Sequence, residues 1–142
     1  MAIDQISTRM TNELAEIPRL AARVDAFCVE RNIHGGVAHR FNLALEEALT
    51  NIVAYGFPDG GRHEIEIRVV FEDSSLMASI SDDGVAFDPL SQAAPDIHAG
   101  VEEREVGGLG IHLLRKLTDA VYYRRRDGRN QLTFRMRTDA TS

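Results

Sequence analysis

The 142-residue chain has a single cysteine, Cys28, so it can form no internal disulfide and no cysteine cage for zinc. A reducing cytoplasm suits that usage. It has no apolar run near the ~20 residues that span a bilayer, and its opening stretch, MAIDQISTRMTNELAEIPRL, has no signal-peptide apolar centre. A soluble, intracellular protein without a membrane partner is the expectation. Positive charge is also in deficit: 16 Lys and Arg against 22 Asp and Glu give a net charge of −6, the wrong sign for a general nucleic-acid binder. The five histidines show no paired metal-ligand spacing. No internal repeat, linker or low-complexity tract interrupts the chain.

What is present fits one domain. Hydrophobic residues at 44% and charged residues at 27% are in globular proportion, and a chain of 142 residues can bury roughly 68–70% of its unfolded surface. Residues 2–8 read as a short strand. Over 12–32, Leu14, Ile17, Leu20, Val24, Phe27 and Cys28 recur at helical spacing, with Pro18 placing the regular start near itself. His34-Gly35-Gly36 ends that helix, and a second, over 37–55, carries Phe41, Leu45, Ala48, Leu49, Ile52 and Val53 on one stripe. Residues 63–72 and 76–81 alternate as adjacent antiparallel strands. A polar stretch over 89–106 has no clear period. A third helix follows Gly110, and strands over 120–126 and 131–137 meet at Asp127-Gly128, a favoured hairpin pair. The order β-α-α-β-β-loop-α-β-β predicts an α+β two-layer sandwich, a mixed, mostly antiparallel sheet with helices on one face.

Three polar constellations stand out. In "LEEALTN", Glu47 and Asn51 are four residues apart and share a helix face; a carboxylate can take a proton from a hydroxyl and an amide oxygen suits Mg²⁺. A solvated helix edge has the same spacing. In "SISDDGVAFDP", Asp82 ends a strand where it can accept an exocyclic amine, and Gly84 lets backbone approach a flat ring. A plain Asp-Gly turn is equally consistent. In "GGLGIHLLRKL", glycines lead into a helix N-terminus, an anion site, though neither a Walker sequence nor a full G-x-G-x-x-G is present. A hinge before a helix reads the same way. "YYRRRDGRNQ" gathers arginines at a hairpin and reads as a solvated tip. Taken together and in this order, the three constellations suit the metal, base and phosphates of a magnesium nucleotide.

With these residues in view the chain resembles the GHKL (Bergerat-fold) ATPase superfamily, and within it the anti-sigma-factor serine/threonine kinases, over residues 2–137. "EEALTN" is similar to the N box, "DDGVAFDP" to the first glycine box and "GGLGIHLLRKLTDAVYYRR" to the second. The resemblance implies a single ATP-binding kinase domain over 1–142 with an ATP lid at about 89–107. It implies Glu47 as catalytic base, Asn51 as Mg²⁺ ligand, Asp82 as reader of the adenine amine, and Gly84 at the base. Gly108 and Gly110 would hinge the loop over the phosphates, and Thr133 corresponds to a family hydroxyl near adenine. The implied activity is Mg-ATP-dependent phosphorylation of a STAS-type antagonist in a partner-switching circuit, with a sigma factor or analogous regulator as second partner and a homodimer through the N-terminal region. A nucleotide-gated binding module without efficient transfer is the alternative. Two departures bear on it: Glu105-Val106-Gly107 stands where the kinases often place an arginine, with Arg104 close by, and residues 91–106 contain no lysine. A sensor histidine kinase would need a phosphoacceptor hairpin for which this length has no room.

Overall fold

A computed structural model describes residues 4–86 and 113–138. Strand β1 (Asp4–Thr11) leads through a 3₁₀ turn (Leu14–Glu16) into helices α1 (Ile17–Glu30) and α2 (Gly35–Tyr55). The chain continues as strands β2 (Glu64–Glu72), β3 (Ser75–Asp82), β4 (Ala120–Arg126) and β5 (Arg129–Arg137). Residues 113–117 are helical, in keeping with the third helix expected there. The strands form one sheet in the order β1-β2-β3-β5-β4, and every pairing among them is antiparallel.

Local chemistry accounts for the element ends. Pro18 sits in the first turn of α1, where no intrahelical N–H is lost, and the helix buries Ile17, Leu20, Val24, Phe27 and Cys28. Leu14, expected on that stripe, lies in the 3₁₀ turn and is 57% exposed. Gly35 and Gly36 form the first turn of α2 rather than the end of α1, because His34 caps it: Gly36 N–H donates to His34 Nδ1 at 3.0 Å. Both hairpins turn through positive φ, at Asp73-Ser74 and at Asp127-Gly128, the backbone twist that two-residue hairpins require.

The core lies between the helices and one face of the sheet. Ile65, Ile67 and Val69 of β2, Leu76, Ala78 and Ile80 of β3, and Leu132, Phe134 and Met136 of β5 point to it, and Phe41 of α2 meets Phe134 with ring centroids 5.2 Å apart. Cys28 is part of this core. Burial pushes its thiol up to about 11, aided by the charge of Asp25 and opposed by Arg31, so it behaves as a small apolar residue. Among the described residues no helix is long and apolar enough to cross a membrane.

The order of the strands decides what meets what. Because β5 inserts between β3 and β4, the end of β3 pairs with the start of β5, and Asp82 lies directly across from Asn130. The inward alternation of both strands then turns these two polar side chains to the helix side.

Candidate active site

Three segments converge at one end of the sheet. The C-terminal half of α2 carries Glu47 and Asn51, the end of β3 runs into Asp82-Asp83-Gly84, and the β4–β5 hairpin supplies Tyr123, Arg125 and Asn130. The first two are joined by backbone: Val85 N–H donates to Gly56 O at 2.9 Å, where Gly56 caps α2. Asn51 stands five residues before that cap, about 7.5 Å along the helix axis.

Asn51 is 3% exposed. Its Nδ2 donates to Glu47 O at 2.9 Å, which fixes the amide, since the oxygen could not face a carbonyl. Its Oδ1 is buried and has no hydrogen-bond partner among the described residues. A buried acceptor left unpaired costs about 1–3 kcal/mol, and an amide oxygen held this way suits a hard cation. The residue present therefore fits the Mg²⁺ role that the N-box resemblance implies.

Glu46 and Glu47 are both half-buried but serve different surfaces. Glu46 lines the groove between α1 and α2 with Asp25, His39 and Asn42. Glu47 does not line that groove, the consequence of the ~100° turn between consecutive helical residues.

Asp82 is 2% exposed, and its Oδ1 accepts from Gly84 N–H at 2.8 Å and from Asn130 Nδ2 at 3.1 Å. The structure gives a reason for glycine at 84 other than room for a flat ring. A Cβ there would stand 2.3 Å from Gly56 O, so the close approach is to the cap of α2. Asn130, 5% exposed, also donates to Val85 O at 2.8 Å and accepts from Arg125 Nη1 at 3.0 Å and from the Tyr123 hydroxyl. Arg125 donates in addition to Gly84 O at 3.0 Å. The hairpin arginines are thus not all a solvated tip: Arg125 holds the glycine turn, and Arg129 Nε donates to Ser81 Oγ at 2.9 Å.

Thr133 is not brought to this cluster. It lies three residues beyond Asn130 on β5, on the opposite side of the pleat, paired with Ser79, and the two hydroxyls are 3.5 Å apart on the outer face of the sheet. The inward position beside Asp82 belongs to Asn130, which sequence reasoning missed because it began the last strand at Gln131. Extending the alternation of Leu132, Phe134 and Met136 back by one step would have shown a polar residue on the core face. Gly108, Gly110 and the expected lid at 89–107 lie outside the described residues.

His63, to which the sequence assigned no role, ties down the adjoining loop. Its Nδ1 is 3.0 Å from Asp83 Oδ1, its Nε2 is 3.0 Å from Asp59 Oδ2, and its ring stacks on Phe57 with centroids 4.5 Å apart. Arg62, Glu64, Glu66 and Arg129 line the same surface hollow. The hydrogen bond to Asp59 and then that to Asp83 raise the imidazole pKa against a partial loss of solvation, and the same bond lowers that of Asp59. A histidine raised above its unfolded value of 6.5 adds stability in full below that value and loses it as pH climbs through the folded one. For Asp59 the contribution is present above 3.8 and disappears as pH falls through the lowered value. Replacing His63 by Gln is expected to depress the melting temperature more at about pH 5.5 than at about pH 9. Equal depression at both would show that the clamp does not titrate.

The profile of the histidine kinase-like ATPase domain matches residues 10–136. The serine/threonine-protein kinase BtrW of Bordetella bronchiseptica is 35% identical over 96 residues, covering 66% of this chain and 68% of that protein. The serine-protein kinase RsbW of Listeria monocytogenes is 32% identical over 87 residues, 57% of this chain and 55% of that one. The anti-sigma F factor of Oceanobacillus iheyensis is 26% identical over 77 residues, 54% of this chain and 53% of that one. The match thus spans about half the length of the latter two. Among solved structures, the RsbU and RsbW domains of Rv1364c from Mycobacterium tuberculosis superpose with a TM-score of 0.66 at 13% identity, over 94% of this chain and 32% of that one, a likeness of fold. By its profile match and its relatives, the chain belongs to the histidine kinase-like ATPase domain family, on the branch of the anti-sigma-factor serine/threonine kinases.

Proposed function

We propose that the protein is a Mg-ATP-dependent serine/threonine kinase of the anti-sigma type, working in the cytoplasm. Its substrate is a small STAS-type antagonist, and its other partner is a sigma factor or analogous regulator. The observation that carries the ligand is the presence of two buried polar groups on α2 and β3, elements joined by the Val85 N–H to Gly56 O bond. Asn51 Oδ1 is enclosed and, among the described residues, unpaired, and Asp82 is a carboxylate held at the end of a core-facing strand.

In this reading Asp82 accepts the exocyclic amine of adenine through Oδ2, since both of its observed donors approach Oδ1. Asn51 Oδ1 holds Mg²⁺, which supplies charge neutralisation at the phosphates. Gly108 and Gly110, which lie outside the described residues, keep in this reading the phosphate-side role that the resemblance implies. Glu47, one turn before Asn51 on α2, takes the proton from the partner's hydroxyl as that oxygen bonds to the γ-phosphorus. The bond from γ-phosphorus to its bridging oxygen breaks and ADP leaves. This reading gives Thr133 no role, since its hydroxyl lies 3.5 Å from that of Ser79 and on the other side of the pleat from Asn130. A homodimer through the N-terminal region, where β1 lies at the sheet's edge, is part of the same reading.

The missing lysine in 91–106 favours a second reading, in which nucleotide only gates partner binding. Incubating the protein with γ-labelled ATP and a STAS-type antagonist separates the two. Label on a serine or threonine of the antagonist is the expected result. Tight ATP binding with no transferred label would replace the kinase by the gate.

A further inference from the structure

Asn130 has no part in the mechanism above, yet all of its hydrogen-bonding capacity is engaged around Asp82. Its Nδ2 donates to Asp82 Oδ1 at 3.1 Å and to Val85 O at 2.8 Å. Its Oδ1 accepts from Arg125 Nη1 at 3.0 Å and from the Tyr123 hydroxyl. The amide cannot flip, because its oxygen would then face a carboxylate and a carbonyl while its NH₂ faced a guanidinium. Cross-strand pairing of Asp82 with Asn130 and of Asn130 with Arg125 sets all three side by side on the core face.

We propose that Asn130 is a positioning residue for base selectivity, holding the plane of the Asp82 carboxylate so that a 6-amino purine is accepted and a 6-oxo purine refused. The proposal rests on the reading of Asp82 as the base contact. An aspartate carboxylate turns freely about its last bond unless it is held. Gly84 N–H provides one hold and Asn130 Nδ2 the second, both on Oδ1, so that Oδ2 meets the base in one orientation. Oδ2 can only accept a hydrogen bond, and a 6-oxo group, also an acceptor, is repelled there. Removing the amide frees the carboxylate and opens space for a water. Water can donate to an oxo group and to the carboxylate together, which relaxes the discrimination. The Val85 and Arg125 bonds extend the hold to the backbone of residues 84 and 85, beside the same carboxylate.

The test is the ratio of dissociation constants for Mg-ITP and Mg-ATP, two nucleotides that differ at the 6-position. Asn130→Ala is expected to shrink that ratio about tenfold, the loss of one charge-assisted hydrogen bond's worth of discrimination. Asn130→Thr, which restores one donor, is expected to recover part of it. Tyr123→Phe combined with Arg125→Met leaves Asn130 in place but unfastens its oxygen, and is expected to shrink the ratio about threefold in the same direction. Melting without nucleotide identifies which variants are folded. A folded Asn130→Ala with an unchanged ratio overturns the proposal; if that variant does not fold, an unchanged ratio in the double variant does so. Asp82→Asn separates the two levels. If it too leaves the ratio unchanged, the base-contact reading itself fails, whereas a changed ratio there with none in the Asn130 variants removes this inference alone.

Discussion

Glu47→Ala is expected to bind Mg-ATP within about threefold of the parent affinity while phosphotransfer falls by about 10²- to 10⁴-fold, the usual contribution of a positioned general base. The separation follows from where each group sits. Asn51 is oriented by the main-chain oxygen of residue 47, a bond that any side chain there preserves. Alanine is also the best helix former, so α2 keeps its course through the site. What disappears is the carboxylate that receives the hydroxyl proton. Glu46, turned toward the α1–α2 groove, cannot replace it. Filter binding of nucleotide and single-turnover transfer to the antagonist measure the two effects separately. Parallel loss of both would make Glu47 a structural or metal-holding residue, and undiminished transfer would remove it from the chemistry.

Asp82→Asn should act on the other half of the reaction, weakening ATP about 100-fold, or ~3 kcal/mol, without unfolding the protein. The substitution keeps shape and keeps an oxygen to accept from Gly84 N–H and Asn130 Nδ2, so the strand end retains its bonds. Only the ligand-facing atom changes, from an acceptor to an NH₂ that opposes the NH₂ of adenine. A ligand at 100 times its dissociation constant stabilises the fold by about 2.7 kcal/mol, and a 100-fold loss of affinity at that concentration leaves about 0.4 kcal/mol. At about 4 °C per kcal/mol for a chain of this size, a nucleotide-induced rise of roughly 10 °C would shrink to roughly 2 °C. A rise of the same size in both proteins would mean that adenine does not meet Asp82.

Much of the architecture was legible because it is written in short-range patterns. The stripes of α1 and α2 and the alternation of β2 and β3 each repeat within a few residues, and the Asp-Gly hairpin needs only two. The errors were also local. Two glycines that stop a helix in most contexts begin α2, because the His34 side chain caps it. Leu14, on the expected stripe, ends in a 3₁₀ turn beyond the reach of the core.

The site divides along the same line. Sequence by itself determined the candidates Glu47, Asn51 and Asp82, since their spacing and their motifs lie within single elements, and it determined the family through the order of those motifs. Tertiary structure alone decided that Asn130, 48 residues from Asp82, lies across from it and that Arg125 grips the turn at Gly84. It also decided why residue 84 is glycine, through the oxygen of Gly56 at the end of another element. The physical reason is common to all three. A helix or hairpin is set by neighbours a few bonds away, whereas the insertion of β5 between β3 and β4 is a competition among whole strands for the same buried face. A strand's inward and outward residues exchange roles with a single step of register.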